Sequence, residues 1–228
     1  MGAEQNWLRR LSVPAYRIGE AASYARVSPQ TVAQWEKVKD NGTAAVAGRI
    51  KGKGLSYLQL IEIAVVAAMR NSGVQLRDIR DARKFLSDRW GQDFPFARTK
   101  FKTDGVDIFL EFRGFDHKLL SDRLLSANKN GQLVWVEMLN KRFLEFDYDS
   151  SGLVKSWLVF GVDKSIVIDP RIAFGAPNVR GIPTRVLKDR WVSGEEIEDL
   201  AVDFDISAEL VREGLDFEGI DGQKRIVN

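Results

Sequence analysis

Cysteine is absent from the chain, and histidine occurs once, at His117. Lack of cysteine excludes disulfides, thiolate nucleophiles and iron–sulfur clusters, and the two shortages together exclude a zinc site of the usual nitrogen and sulfur ligands. No metal or cofactor is therefore expected, and a reducing compartment suits the chain. Long apolar runs are also missing. The longest candidate, Leu58 to Met69, falls short of the roughly 18 residues that span a bilayer and is interrupted by Gln59 and Glu62. The opening NWLRRLSVPAY lacks the apolar centre of a signal peptide, so the expected location is the cytoplasm.

Without cysteine and with one histidine, no nucleophile–base pair is available from those two residue types. The carboxylates fall on helix faces where salt bridging explains them. The run GRIKGKG has glycines at 48, 52 and 54 but no strand-to-helix context that makes a phosphate cradle. The chain is expected not to be an enzyme.

What remains is a chain of 228 residues, 44% hydrophobic and 29% charged, the proportions of ordinary globular domains, long enough for one large domain or two small ones. A net charge of +2 conceals a polarity. Up to Gly54 the bases Arg9, Arg10, Arg17, Arg26, Lys37, Lys39, Arg49, Lys51 and Lys53 outnumber the acids. From Ser193 to Glu218, Arg212 is the only base among ten carboxylates. One end suits phosphate and the other does not.

Within the basic end, Arg17 to Lys37 reads as two short helices around a turn. Ser28 is a good N-cap and Pro29 fits the first helical position. Ala21, Ala22, Val27, Val32 and Trp35 form a small interior, which leaves Gln30, Thr31, Gln34 and Lys37 on the opposite face. A DNA-reading helix has this construction: glutamine can pair bidentately with adenine, and threonine can offer a hydroxyl or a methyl. A solvated helix face has it too. In Asp40 to Gly54, glycines punctuate short extended runs in which Arg49, Lys51 and Lys53 alternate on one strand face, predicting a basic wing.

Farther on, Leu58, Ile61, Val65 and Ala68 mark the buried stripe of one helix and Ile79, Ala82 and Leu86 that of another. After Gly91 the pattern predicts strands at Val106 to Phe112, Leu144 to Tyr148 and Leu153 to Phe160, the last two joined by Asp149, Ser150, Ser151 and Gly152. Helices are predicted at Leu119 to Leu125 and Gln132 to Phe143. A final unit opens with a strand at Ile166 to Ile168. A Gly/Pro-rich loop then leads to helices near Val186 to Trp191, Glu195 to Asp203 and Ser207 to Phe217. The fold class is mainly α with small β elements (α+β).

Two resemblances add to this reading. Tyr16 to Ala22, the Val-Ser-Pro-x-Thr turn of Val27 to Thr31, and the run Gly73 to Arg80, in that order, resemble the winged helix-turn-helix of MerR-like transcription regulators over roughly the first hundred residues. Such regulators usually continue into one long dimerising helix, whereas strands are predicted here after Gly91. The stretch from Ile166 to Glu218, with Asp169-Pro170, Gly175, Pro177, Gly181 and Gly194 to Ile197, resembles the small helix-turn-helix family known as domain of unknown function 433, found in many VapB-type antitoxins.

The resemblance implies a DNA-binding autorepressor, dimeric on its operator, that neutralises a basic ribonuclease toxin by direct contact. It implies three domains: 1–102 for DNA, 103–165 as a linking, dimerising or docking segment, and 166–228 for the toxin. The DNA-binding residues would be Arg17, Arg26, Ser28, Gln30, Thr31, Gln34, Lys37, Arg49, Lys51 and Lys53. The toxin-binding residues would be Phe174, Arg185, Glu209, Glu213, Lys224 and Arg225. Two other readings stay open: a free-standing regulator in which Thr103 to Phe160 senses a small molecule, and a nucleic-acid-processing enzyme.

Overall fold

The structure is a computed structural model that describes residues 3–39, 42–99, 101 and 140–220. The predicted strand at Val106 to Phe112, the helix at Leu119 to Leu125, most of the helix at Gln132 to Phe143, and His117, Lys224 and Arg225 lie outside them. The chain divides into two compact units: Met1–Leu144 with Tyr148–Val154, and Glu145–Asp147 with Lys155–Asn228.

In the N-terminal unit the helices are α1 (Ala3–Ser12), α2 (Ile18–Tyr24), α3 (Pro29–Trp35), α4 (Tyr57–Asn71) and α5 (Leu76–Trp90), followed by a 3₁₀ turn at Pro95–Ala97. The pattern around NWLRRLS was not read as a helix, yet α1 forms there and buries Leu11. Ser56 and Gln59 cap α4 reciprocally, the Gln59 N–H donating to Ser56 Oγ (3.3 Å) and the Ser56 N–H to Gln59 Oε1 (2.8 Å). From Tyr57 to Met69 every residue of α4 is buried, so the expected one-sided stripe is corrected to a helix enclosed all round. Its apolar residues Leu60, Ile61, Ile63 and Met69 join Leu11, Leu55 and Phe96 in the core. Phe101 extends this cluster through tilted and edge contacts to Phe96 and Phe143, with ring centroids 4.8 and 5.6 Å away.

Enclosure on every side leaves Gln59 and Glu62 of α4 inside, and each has partners. Gln59 Nε2 donates to the Ala47 carbonyl (2.9 Å), and the Ala47 N–H donates to Glu62 Oε2 (3.0 Å). One residue of the 42–54 segment is thus held through both its N–H and its carbonyl by residues three apart on one helix. Arg83 of α5 donates from Nε to the same carboxylate oxygen (3.1 Å) and from Nη2 to the Asp93 carbonyl (2.6 Å).

The 42–54 segment itself differs from expectation. It holds no strand; the Lys53 N–H closes a turn on the Ile50 carbonyl (2.9 Å), and this bend breaks the alternation of Arg49, Lys51 and Lys53. Pairing occurs only at its end, as an isolated antiparallel bridge between Tyr16 and Leu55. There the backbones pass so closely that a Cβ at Gly54 would stand 2.7 Å from the Tyr16 carbonyl oxygen. Gly54→Ala is expected to lower stability by about 1–3 kcal/mol, as over-packing does. A urea midpoint unchanged from that of the parent chain would refute the tight approach.

Asp149, the first residue of the predicted Asp-Ser-Ser-Gly turn, ties that turn to α1. Its carboxylate accepts from the Trp7 indole (2.9 Å), from the Ser151 N–H and hydroxyl (2.9 and 2.7 Å) and from the Leu153 N–H (3.0 Å). Burial alone would raise its pKa, but these four donors outweigh burial and hold it below the ordinary carboxylate range.

The C-terminal unit contains most of a five-stranded sheet, whose strand order is β1 (Phe146–Tyr148), β2 (Val154–Leu158), β3 (Val167–Ile168), β4 (Asn178–Val179) and β5 (Ile182–Pro183). From β2 onward the pairs are antiparallel, with Trp157 opposite Ile168 and Val179 opposite Ile182. Trp157 is fully buried, edge-on to Phe146 at 5.9 Å, and its indole N–H is satisfied by Glu145 (2.9 Å). Helices α6 (Thr184–Val192), α7 (Ile197–Phe204) and α8 (Ala208–Phe217) pack on one another and on β4 and β5 through Leu187, Leu200, Val211 and Leu215. Arg190 joins α6 to α7: it bonds Glu195 and Asp203 and lies over the Phe204 ring, 5.0 Å from its centroid. The fold is mainly helical with a small β component, as the sequence pattern predicts.

Candidate functional site

The α2–α3 pair is built by local signals. Arg26 turns the chain with φ 56°, in the left-handed region. Ser28 then caps α3, accepting from the Thr31 N–H (3.1 Å), and Pro29 opens the helix. Ala21, Ala22, Val32 and Trp35 are buried beneath the turn, with Val27 half-buried. After α3 the chain doubles back, and the Ala45 N–H satisfies the Trp35 carbonyl (2.9 Å) that the helix end leaves open.

Gln30 and Gln34 are exposed on the outward side of α3, and Lys37 is exposed just beyond its end. Thr31 is half-buried, and its hydroxyl lies 2.8 Å from Ser28 Oγ, so both hydroxyls are engaged in the cap. Arg17, Arg26, Lys51 and Lys53 are exposed and, like Lys37, make no ion pair among the described residues. Arg49 does: its Nε lies 3.5 Å from Glu36 Oε2, and its backbone N–H donates to Glu36 Oε1 (3.0 Å). The structure thus presents two glutamines on a capped helix with five uncompensated cations, and assigns Arg49 to holding the return segment. Glu36, Gln59, Glu62 and Arg83, which position that segment, did not stand out from the sequence. The available signal was Glu62 itself, a lone carboxylate inside an otherwise apolar helix.

The C-terminal unit repeats the same turn. Asp205 has φ 50°, Ser207 Oγ accepts the Leu210 N–H (3.4 Å) at the start of α8, and Val211 is buried four residues beyond the cap, where Val32 is buried in α3. The outward positions differ in charge. Where α2–α3 carries Arg26, Gln30, Gln34 and Lys37, α7–α8 carries Asp205, Glu209, Glu213 and Asp216.

Glu209 lies in the first turn of α8 and is exposed. Its own backbone N–H and the Ser207 hydroxyl hold its pKa below the usual range. Glu213 is half-buried and accepts the Ser165 N–H. Arg185 is exposed, with Asp189 3.7 Å away. Phe174 stands in the Gly/Pro-rich loop and is 97% exposed. Val192, at the end of α6, and Val202, in α7, are exposed as well.

A cavity of about 160 Å³ is lined by Trp90, Gln92, Arg98, Ser151 and Gly152 of the N-terminal unit. That is below the roughly 300 Å³ at which small-molecule pockets begin. Among the described residues no group of acidic or histidine side chains is placed to hold a metal, and no helix is long and apolar enough to cross a membrane.

No protein-family model matches the chain. It is similar to a Mycobacterium tuberculosis protein named "Putative antitoxin VapB45", with 24% identity over 237 residues that take in 95% of this chain and 98% of the relative. It also superposes on the crystal structure of Rv2018 from Mycobacterium tuberculosis. The TM-score is 0.72 and the identity 21%, over 91% of this chain and 99% of that one; at such identity the likeness is one of fold.

Proposed function

We propose that the chain is the antitoxin of a type II toxin–antitoxin system, a DNA-binding autorepressor that neutralises a ribonuclease toxin by direct contact. In this reading residues 1–102 form a MerR-like helix-turn-helix on operator DNA, bound as a homodimer, with the 42–54 segment a basic loop where the sequence predicts a strand-built wing. Residues 103–165 link, dimerise or dock, and 166–228 form a domain of the 433 family that docks the toxin. The observation that carries the DNA half is the exposed pair Gln30 and Gln34 on a capped helix with uncompensated cations on its neighbours. The near full-length likeness to a protein named as an antitoxin supports the toxin half.

Binding to the upstream region of the chain's own gene tests the first half. Gln30→Ala or Gln34→Ala is expected to cost about 1–3 kcal/mol on that fragment, with binding to random DNA nearly unchanged. Equal losses on both DNAs would remove α3 from base reading. Coexpression with the product of the adjacent reading frame tests the second half: growth should be restored by the full chain, and failure to restore it counts against the antitoxin role.

A further inference from the structure

The loop between β3 and β4 holds an aromatic ring in water by an unusual backbone. Ala173 (φ 48°), Phe174 (φ 56°) and Gly175 (φ 82°) pass consecutively through the left-handed region. Glycine enters it freely, whereas alanine and phenylalanine do so only against a steric penalty. The loop is fixed at both ends. The Ile172 N–H donates to the Asp169 carbonyl, the Gly175 N–H to the Ile172 carbonyl (both 2.9 Å) and the Ala176 N–H to the Ala173 carbonyl (3.1 Å). Asp169 accepts both the backbone N–H of Arg171 (2.8 Å) and its guanidinium, and Pro170 and Pro177 are buried. At its apex Phe174 is 97% exposed, so the ring adds almost nothing to the stability of its own unit while the backbone beneath it is strained.

We propose that Phe174 is a preset anchor that inserts into an apolar pocket of the protein this chain neutralises, and that carboxylates rim that pocket. The proposal rests on the antitoxin reading. The charge of the surroundings selects the rim. Arg180, exposed at the tip of the neighbouring β4–β5 turn, has no ion-pair partner among the described residues. That turn lies against the loop: a Cβ at Gly181 would stand 4.0 Å from Ile172 Cγ2. Arg185 follows at the start of α6, only loosely matched by Asp189. Nucleic acid could stack on the ring and meet the same arginines. However, a nucleic acid carries negative charge along its whole length, and Asp199, Asp205, Glu209 and Asp216, exposed on and between α7 and α8 of this unit, repel such a strand, which favours a protein. A ring already held in place loses little freedom on docking, which is what makes a single aromatic an effective anchor.

The test is titration calorimetry of the purified full chain against the purified product of the adjacent reading frame. Phe174→Ala is expected to weaken binding at least about thirtyfold and Phe174→Leu much less. Phe174→Gly should also lose binding while melting no lower than the parent, because glycine relieves the left-handed backbone. Arg180→Glu should weaken binding and reduce its sensitivity to salt. Alanine at 174 binding within threefold of the parent overturns the anchor. A lowered melting temperature for Phe174→Ala overturns it too, by showing that the ring supports the fold. Loss of single-stranded RNA binding, or of self-association, with affinity for the neighbouring product intact overturns the protein pocket. A parent chain that does not bind that product defeats the antitoxin reading and the anchor with it.

Discussion

Arg83→Ala is expected to destabilise the N-terminal unit by about 3–5 kcal/mol, the cost of stranding a buried charge. The Glu62 side chain has no solvent exposure and that of Arg83 only 12%. Glu62 Oε2 takes the Arg83 guanidinium and the Ala47 N–H, while Oε1 is buried without a hydrogen bond among the described residues. Burial pushes the Glu62 carboxyl above its ordinary range, outweighing the opposing pull of Arg83 and of the Ala47 N–H. The folded state therefore binds this proton more tightly than the unfolded chain does. Stability falls as pH rises from the unfolded carboxyl's pKa to the folded one and is level above it.

Without Arg83 the folded carboxyl should titrate higher still, carrying that decline to higher pH. Glu62→Gln should abolish the decline at a smaller cost, since an amide oxygen can still accept from Ala47. Urea unfolding of the three proteins across pH 4–8 decides the matter. An Arg83→Ala chain within about 1 kcal/mol of the parent, with the same pH profile, would mean that the pair contributes neither charge balance nor anchorage.

Neutralising Lys37, Lys51 and Lys53 together is expected to reduce affinity for the upstream DNA by about 500-fold at 0.1 M salt. It should also lower the salt slope by about 2.7, since each lost phosphate contact removes about 0.9. All three ammonium groups are exposed and lack ion-pair partners among the described residues, so no internal bond has to break before they meet phosphate. Arg49→Ala is a different experiment. Its guanidinium is committed to Glu36, so the loss should appear as instability of the return segment, with the salt slope little changed. An unaltered slope for the triple variant would take these lysines out of the DNA contact altogether.

The contrast between those residues shows what could be read in advance. Ser28, Pro29, Val32 and Trp35 specify α3 by cap and spacing within eight residues, and the helix lies where they put it. Arg49, Lys51 and Lys53 alternate in sequence, but what decides their backbone is remote: a carbonyl of Trp35, and the grip of Gln59 and Glu62 on Ala47. Alternation predicts a strand only where a partner strand exists, and Tyr16 pairs with Leu55 alone. The breadth of burial around α4 was likewise illegible, because α1, which helps cover it, is mostly polar and offers few apolar residues. Phe174 could be placed in a loop by its Gly/Pro neighbours. Its exposure could not, because neither alanine nor phenylalanine signals a left-handed backbone.

The turn that occurs twice bears on how a chain of this kind can evolve. In both copies the residues that hold the helices, Ala22 and Val32 in one and Leu200 and Val211 in the other, face inward, while Arg26, Gln30 and Lys37 in one and Asp205, Glu209 and Asp216 in the other are exposed and differ in charge. Substitutions at exposed positions usually change stability by no more than about 0.5 kcal/mol. Selection can therefore alter the sign of such a face, and with it the class of molecule the face attracts, while the folded backbone stays above the stability it needs. Recognition and foldability drift on separate sets of side chains, and one small motif can carry opposite specificities at the two ends of one polypeptide.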